Sequence, residues 1–219
     1  MEKQLQWTLF LITLSGVMAC TDLWKKVFLF PKPSQDSYVT LIPLLNTRLQ
    51  NFTLCLWTYT ELMRGYSVFS YATQDVDNEI LLFKDNIRQY SLTIGGEEIT
   101  FPVSENSHNP EHICVTWESA SGVAVLWINA KPLVRQVLKV GYTLNANAKI
   151  ILGQDQDSYG GSFDINQSFV GEIGNVCMWD YVLPPIEMKE KCSCGNVLNW
   201  RNLNYEENGF MVTLPNLWV

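Results

Sequence analysis

The run Gln154-Asp155-Gln156-Asp157-Ser158-Tyr159-Gly160-Gly161-Ser162-Phe163-Asp164-Ile165-Asn166-Gln167 gathers three carboxylates and several amide oxygens in one turn-rich stretch. Hard oxygen donors suit calcium, which accepts six to eight of them in irregular geometry. Zinc or copper wants imidazole and thiolate, and this run holds neither. The EF-hand template fails here. With Asp155 first, Asp157 and Gly160 fall at the third and sixth places, but Tyr159 takes the fifth and Asn166 the twelfth, where the bidentate Glu belongs. The plain alternative is a solvated acidic turn. A second cluster, Asp75-Val76-Asp77-Asn78-Glu79, precedes Ile80-Leu81-Leu82-Phe83. Alone it reads as an exposed turn. If Asp77 meets Asp155, Asp157 and Asp164 in space, four carboxylates converge, and two Ca²⁺ would neutralise a repulsion that is otherwise severe.

The elements that must position these residues read as strands. Phe52, Leu54 and Leu56 alternate with Thr53, Cys55 and Trp57; Val123, Val125 and Trp127 alternate with Ala124, Leu126 and Ile128. Ile113-Cys114-Val115-Thr116-Trp117, Lys149-Ile150-Ile151-Leu152 and Val176-Cys177-Met178-Trp179 are further short apolar runs. Gly95-Gly96, Ser121-Gly122, Asn129-Ala130-Lys131-Pro132 and Gly160-Gly161 supply turn signals. Many short strands with regular turns predict an all-β, antiparallel sandwich or jelly roll. One stretch differs. Pro184-Pro185 followed by Ile186-Glu187-Met188-Lys189-Glu190-Lys191 predicts a short helix, with Pro in its first turn, Glu near the positive end and Lys near the negative end.

Composition sets the frame. Of 219 residues 47% are hydrophobic and 17% charged, enough to bury a full core, and apolar residues run the whole length. A net charge of -7 argues against a nucleic-acid partner, which needs clustered Lys and Arg. Lys3, then an almost uncharged run from Leu5 to Met18, then Val17 and Ala19, read as a signal peptide over residues 1–19. The run is too short to span a bilayer, which takes ~20 apolar residues. Residues 20–219 read as one exported domain, with no linker, repeat or low-complexity tract. Export gives weight to the six cysteines, Cys20, Cys55, Cys114, Cys177, Cys192 and Cys194, some of which should pair. Spacing does not say which.

His112-Ile113-Cys114-Val115-Thr116-Trp117-Glu118-Ser119 matches the signature His-x-Cys-x-Ser/Thr-Trp-x-Ser/Thr without a mismatch, and on it the chain resembles the pentraxin family. The resemblance runs from Thr21-Asp22-Leu23 to Leu217-Trp218-Val219 and is strongest to the short members of the family. It implies a flattened antiparallel jelly roll, lectin-like, with one helix on one face and calcium sites on the other. It further implies a cyclic homopentamer and a disulfide between Cys55 and Cys114, worth about 4 kcal/mol in the chain-entropy model. Cys177, Cys192 and Cys194 receive no assignment from it: a second bridge, a link between subunits and free thiols all stay open.

The family's two Ca²⁺ per subunit carry over residue by residue. Asp77 and Asn78 match the pair preceding Glu-Ile-Leu. Asp155, Gln156 (through its carbonyl) and Asp157 match the Glu-Gln-Asp triplet, and Asp164 and Gln167 match the last two ligands. Asp155 departs from the usual Glu by one methylene, while calcium–oxygen contacts tolerate only ~2.3–2.6 Å. Phe83, Thr93 and Glu98 fall where the family's phosphocholine-binding members receive the headgroup: metal takes phosphate oxygens, Phe83 packs the methyl groups, and Glu98 faces the ammonium. Taken singly, Phe83 is ordinary strand packing and Glu98 a surface charge.

The resemblance thus implies an exported, calcium-dependent pattern-recognition protein for phosphocholine- or phosphoethanolamine-type ligands on surfaces, with complement and immune-receptor contacts by analogy. Asn51-Phe52-Thr53 is a glycosylation sequon; Asn166-Gln167-Ser168 is another, expected to stay unused inside the acidic loop. Two rivals stand beside this reading. One is a disulfide-assembled structural or adaptor protein with weakened calcium binding. The other is a glycosidase-like jelly roll using Asp155 and Asp157, although no nucleophile elbow, phosphate loop or zinc-protease motif occurs.

Overall fold

The computed structural model describes residues 20–104, 109–188 and 194–218. The segment expected to be a signal peptide lies outside them. The first seven strands are β1 (Lys26–Phe30), β2 (Tyr38–Ile42), β3 (Asn51–Tyr59), β4 (Tyr66–Ala72), β5 (Ile80–Asn86), β6 (Gln89–Ile94) and β7 (Glu97–Pro102). Then follow β8 (Glu111–Glu118), β9 (Val123–Ile128), β10 (Lys131–Pro132), β11 (Gln136–Val137), β12 (Lys149–Leu152), β13 (Gly171–Trp179), β14 (Asn204–Asn208) and β15 (Val212–Pro215).

All pairings are antiparallel, and the strands build two sheets. One runs β10-β9-β8-β3-β13-β1-β15, with β11 also on β9; the other runs β14-β2-β12-β4-β5-β6-β7. Leu54, Leu56, Val115, Ala124 and Leu126 of the first sheet and Leu41, Phe69, Leu82, Leu92 and Ile150 of the second belong to one buried cluster. The expected jelly-roll sandwich is the fold. Turn chemistry pins the register. Gly95 and Gly96 both take positive φ, as a two-residue hairpin turn between right-twisted strands demands, and join β6 to β7.

The alternation expected of half-solvated strands is only partly met. In the middle of β3, Thr53 and Cys55 on one face are as buried as Leu54 and Leu56 on the other. The chain after β13 folds back over it: the Thr53 hydroxyl donates to the Tyr181 carbonyl (2.8 Å) and accepts from the Leu183 amide (2.9 Å).

The expected helix is corrected. Residues 185–188 form hydrogen-bonded turns, with the Glu187 amide on the Pro184 carbonyl at 3.0 Å and the Met188 amide on the same carbonyl at 3.4 Å. Residues 189–191, the rest of that stretch, lie outside the described residues. No helix occurs among the described residues. The chain just before these turns is tied to Thr53 through Tyr181 and Leu183. The Cys55–Cys114 disulfide is present, across neighbouring strands whose register pairs those two residues.

Candidate metal centre

The acidic loop leaves the sandwich at Gly153 and re-enters it at Phe169. Gly153 sits at φ +91°, and a side chain there would lie 2.5 Å from the Phe30 ring. Its carbonyl accepts the Phe169 amide at 2.9 Å, closing the base of the loop. The Phe169 ring packs edge-on against Phe30 at 5.8 Å and Tyr66 at 5.4 Å, so the return of the chain is anchored in the core.

Inside the loop, Gln156 is the tether. Its amide nitrogen donates to the Ser70 hydroxyl (3.1 Å), the Ser70 carbonyl (3.2 Å) and the Lys149 carbonyl (3.0 Å), while its amide oxygen accepts from the Gly160 amide at 2.9 Å. The Gln156 side chain is thereby committed to structure, leaving its backbone carbonyl for any metal. Gln154 ties the loop to the 34–37 turn through the Ser34 and Ser37 carbonyls. Arg64 donates to the Asn166 carbonyl at 2.7 Å. The second cluster is held independently. Glu79, fully buried, accepts from the Tyr142 hydroxyl (2.8 Å) and the Asn145 amide (2.5 Å), while the Gly96 amide donates to the Asn78 carbonyl (3.1 Å). Neither Ser70 nor Glu79 stood out in the sequence as a support; strand register alone reveals Ser70.

These tethers bring the two acidic segments within electrostatic reach. Burial, then the charges of Asp157 and Asp77, push the Asp155 carboxyl up to about 7, with the Gln156 amide opposing. Burial, Asp77 and Asp164 push Asp157 up as well. The four carboxylates named from sequence therefore share one field, but no three of them offer oxygens within 4.8 Å of one another. Among the described residues, the set of potential ligand side chains that does lie so close is Cys55, His112 and Cys114, whose two sulfurs are spent in the disulfide.

The donor set fits a hard cation. Oδ1 of Asn78, Oδ1 of Asp155 and Oε1 of Gln167 are buried oxygen atoms that accept no hydrogen bond from any described residue. A buried acceptor without a donor costs about 1–3 kcal/mol, and a cation removes that cost. Gln154 also carries a buried, unpartnered Oε1, a fourth such oxygen and one outside the ligand set that the resemblance implies.

Phe83, Thr93 and Glu98 share the loop's face of the second sheet. Direct antiparallel partners point the same way, and Ser70, Leu81, Thr93 and Glu98 form one cross-strand row over β4, β5, β6 and β7. Phe83 lies two residues beyond Leu81 and so on the same face. Ser70, the tether of Gln156, begins that row, and with strands ~4.8 Å apart Glu98 ends it about 14 Å away. Thr93 is buried, Phe83 half-buried and Glu98 exposed.

A two-sheet antiparallel jelly roll carrying an oxygen-rich loop on one sheet is a lectin-like fold. The model of the Pentaxin family matches residues 26–215, and the chain belongs to the pentraxin family. It is 52% identical to mucosal pentraxin of Rattus norvegicus and 53% identical to C-reactive protein of Homo sapiens, and it is 49% identical to serum amyloid P-component of Homo sapiens. Each alignment covers the whole of both chains. Among solved structures, a heptameric SAP-like pentraxin from Limulus polyphemus superposes with a TM-score of 0.80 at 20% identity, over 90% of this chain and 98% of that one, a likeness of fold.

Asn51 stands at the start of β3, half-buried and paired with Glu118. In the second sequon Ser168 is buried, and its hydroxyl donates to the Ile165 carbonyl at 2.7 Å. No helix among the described residues is long and apolar enough to cross a membrane.

Proposed function

We propose that this pentraxin is an exported recognition protein that binds two Ca²⁺ per subunit and, through them, phosphocholine-like or phosphorylated headgroups on surfaces. The observation that carries the reading is the set of buried, donor-less oxygens on Asn78, Asp155 and Gln167, drawn from two segments far apart in sequence. Asp77, Asn78, Asp155, Asp157, Asp164 and Gln167 would supply side-chain oxygens and Gln156 its carbonyl. Bound calcium supplies positive charge that neutralises the acidic cluster and attracts anionic oxygens. The chain itself orients the ligand: Phe83 offers an apolar wall, Thr93 a small neighbour, and Glu98 a carboxylate toward a quaternary or primary ammonium.

Residues 1–19 serve as the signal peptide in this reading, and the chain assembles as a homopentamer presenting five sites on one side. The heptamer of the Limulus polyphemus relative makes ring size part of the test. Weak single sites then add to tight attachment wherever ligand spacing fits. Asn51 is the glycan acceptor, and complement and immune-receptor contacts fall on the opposite face by analogy. Calorimetric titration of phosphocholine and phosphoethanolamine, each with calcium and with EDTA, tests the reading, beside a mass for the native oligomer. Heat that persists in EDTA overturns it.

One observation favours a second reading. A buried carboxyl pushed up to about 7 beside a second carboxylate is also the pattern of a glycosidase acid. Asn78 and Gln167 weigh against it, because amide oxygens carry no transferable proton yet are left equally unpartnered. Sugar release by the pure protein in EDTA would decide for hydrolysis.

A further inference from the structure

Three cysteines lie abreast in the first sheet: Cys177 of β13 pairs in register with Cys55 of β3, which pairs with Cys114 of β8. Cys55 and Cys114 are joined; Cys177 is fully buried and carries a free thiol. The chain that covers this face returns through Cys194, also free and exposed. The stretch after Cys194 is clamped to the residue after Cys177. The Met178 amide donates to the Leu198 carbonyl at 3.0 Å, and the Val197 and Leu198 amides both donate to the Met178 carbonyl, at 2.9 and 3.1 Å. Gly195 lies flat on Met178: a side chain there would stand 2.2 Å from the Met178 carbonyl oxygen and 2.7 Å from its amide nitrogen. Asn196 holds the next turn to Asp180 with bonds of 2.7 and 3.1 Å.

We propose that Cys177 and Cys194 are the two halves of a second disulfide, which staples the returning segment to β13. The Gly195 amide donates to the Cys177 sulfur, and the Cα of Cys194 is the next atom but one along the chain. The charge of Cys194 is also felt at the Cys177 sulfur, so the two thiols are neighbours; a disulfide needs their Cβ atoms about 3.5–4.5 Å apart, and side-chain rotation then aligns the sulfurs. Gly195 is what allows it, since any side chain there would force Cys194 away.

The oxidant is a small dialkyl disulfide such as oxidised glutathione. Burial pushes the Cys177 thiol up to about 11, so the exposed Cys194 reacts first. The Cys194 thiolate attacks one glutathione sulfur, forms a mixed disulfide and expels one glutathione thiolate. Cys177, losing its proton to solvent, attacks the Cys194 sulfur; the protein disulfide forms and the second glutathione thiolate leaves. Two protein thiols are oxidised, one glutathione disulfide is reduced, and the two leaving thiolates take up the two protons.

The proposal does not depend on calcium or headgroup binding. The purified full-length chain is incubated with oxidised glutathione, alkylated in denaturant, digested without reduction and mapped by mass. The expected result is a linked peptide pair containing Cys177 and Cys194 beside the Cys55–Cys114 pair. C192S retains both pairs. C194S loses the first and leaves Cys177 fully alkylated, with its circular dichroism unchanged. Cys177 linked to Cys55 or Cys192, Cys194 linked between subunits, or full alkylation of both residues in the wild type overturns the proposal.

Discussion

Asp155 is the residue on which the proposed chemistry turns. It is buried, short of the usual Glu by a methylene, and surrounded by like charge. Asp155→Glu restores the missing reach, and calcium titration should show the weaker site tightening about tenfold, on the order of 1.4 kcal/mol. Glu98→Ala should leave calcium affinity untouched and weaken phosphocholine binding by about three- to tenfold, the range of an exposed ammonium contact; unchanged phosphocholine affinity removes Glu98 from the pocket. His112 makes a separate prediction about stability. It stacks on Trp57 at 5.0 Å, and burial lowers its pKa from 6.5 to about 4. The unfolded chain then takes up a proton that the folded chain refuses, so stability is whole above pH 6.5 and falls as pH drops toward 4. The loss is about 3 kcal/mol. His112→Phe should flatten that part of the profile in denaturant titrations from pH 7 to 4. At this scale residue types pointed only to donors, and the resemblance gave Gln156 its role through the carbonyl; its bonds to Ser70 and Lys149 supply the physical reason, a side chain committed to structure.

Elements decide whether those residues meet. The loop between β12 and β13 depends on Gly153, where positive φ and the Phe30 ring both exclude a side chain. Gly153→Ala should cost about 2–3 kcal/mol of stability in urea unfolding, and it should weaken calcium binding more than a substitution on the far side of the sheet. Strands were legible because β-branched and aromatic residues recur between turn signals, and the Gly95-Gly96 turn is written in residue types that tolerate positive φ. Residues 185–188 form turns although Pro followed by Glu and Lys satisfies local helix preferences, and Thr53 anchors the chain just before them. Local preference is worth tenths of a kcal/mol per residue, and a tertiary anchor overrides it.

At the scale of the whole molecule, calcium should act as a stabilising ligand as well as a bridge to surfaces. At one hundred times its dissociation constant, each site raises the unfolding free energy by about 2.7 kcal/mol, so thermal unfolding with and without EDTA should separate by several degrees. Protein attached to a phosphocholine-coated surface should detach in EDTA while its oligomer mass stays constant; loss of the oligomer instead would place the ions at the subunit contacts.

The disulfide-bonded β-sandwich could be reasoned from the chain alone, because turn residues, strand-period apolar runs and the His112–Ser119 signature are local facts of order and type. The pairing of Cys55 with Cys114 followed from family resemblance and stands in the fold. Tertiary structure alone decided that Asp77 shares a field with Asp155 and Asp157. It alone decided that Ser70, Thr93 and Glu98 fall in one row, and that Cys177 lies beside the segment led by Cys194. Each of these is a meeting of residues distant in sequence, set by sheet register and by which buried polar atoms find partners, and neither quantity is carried by any single stretch of chain.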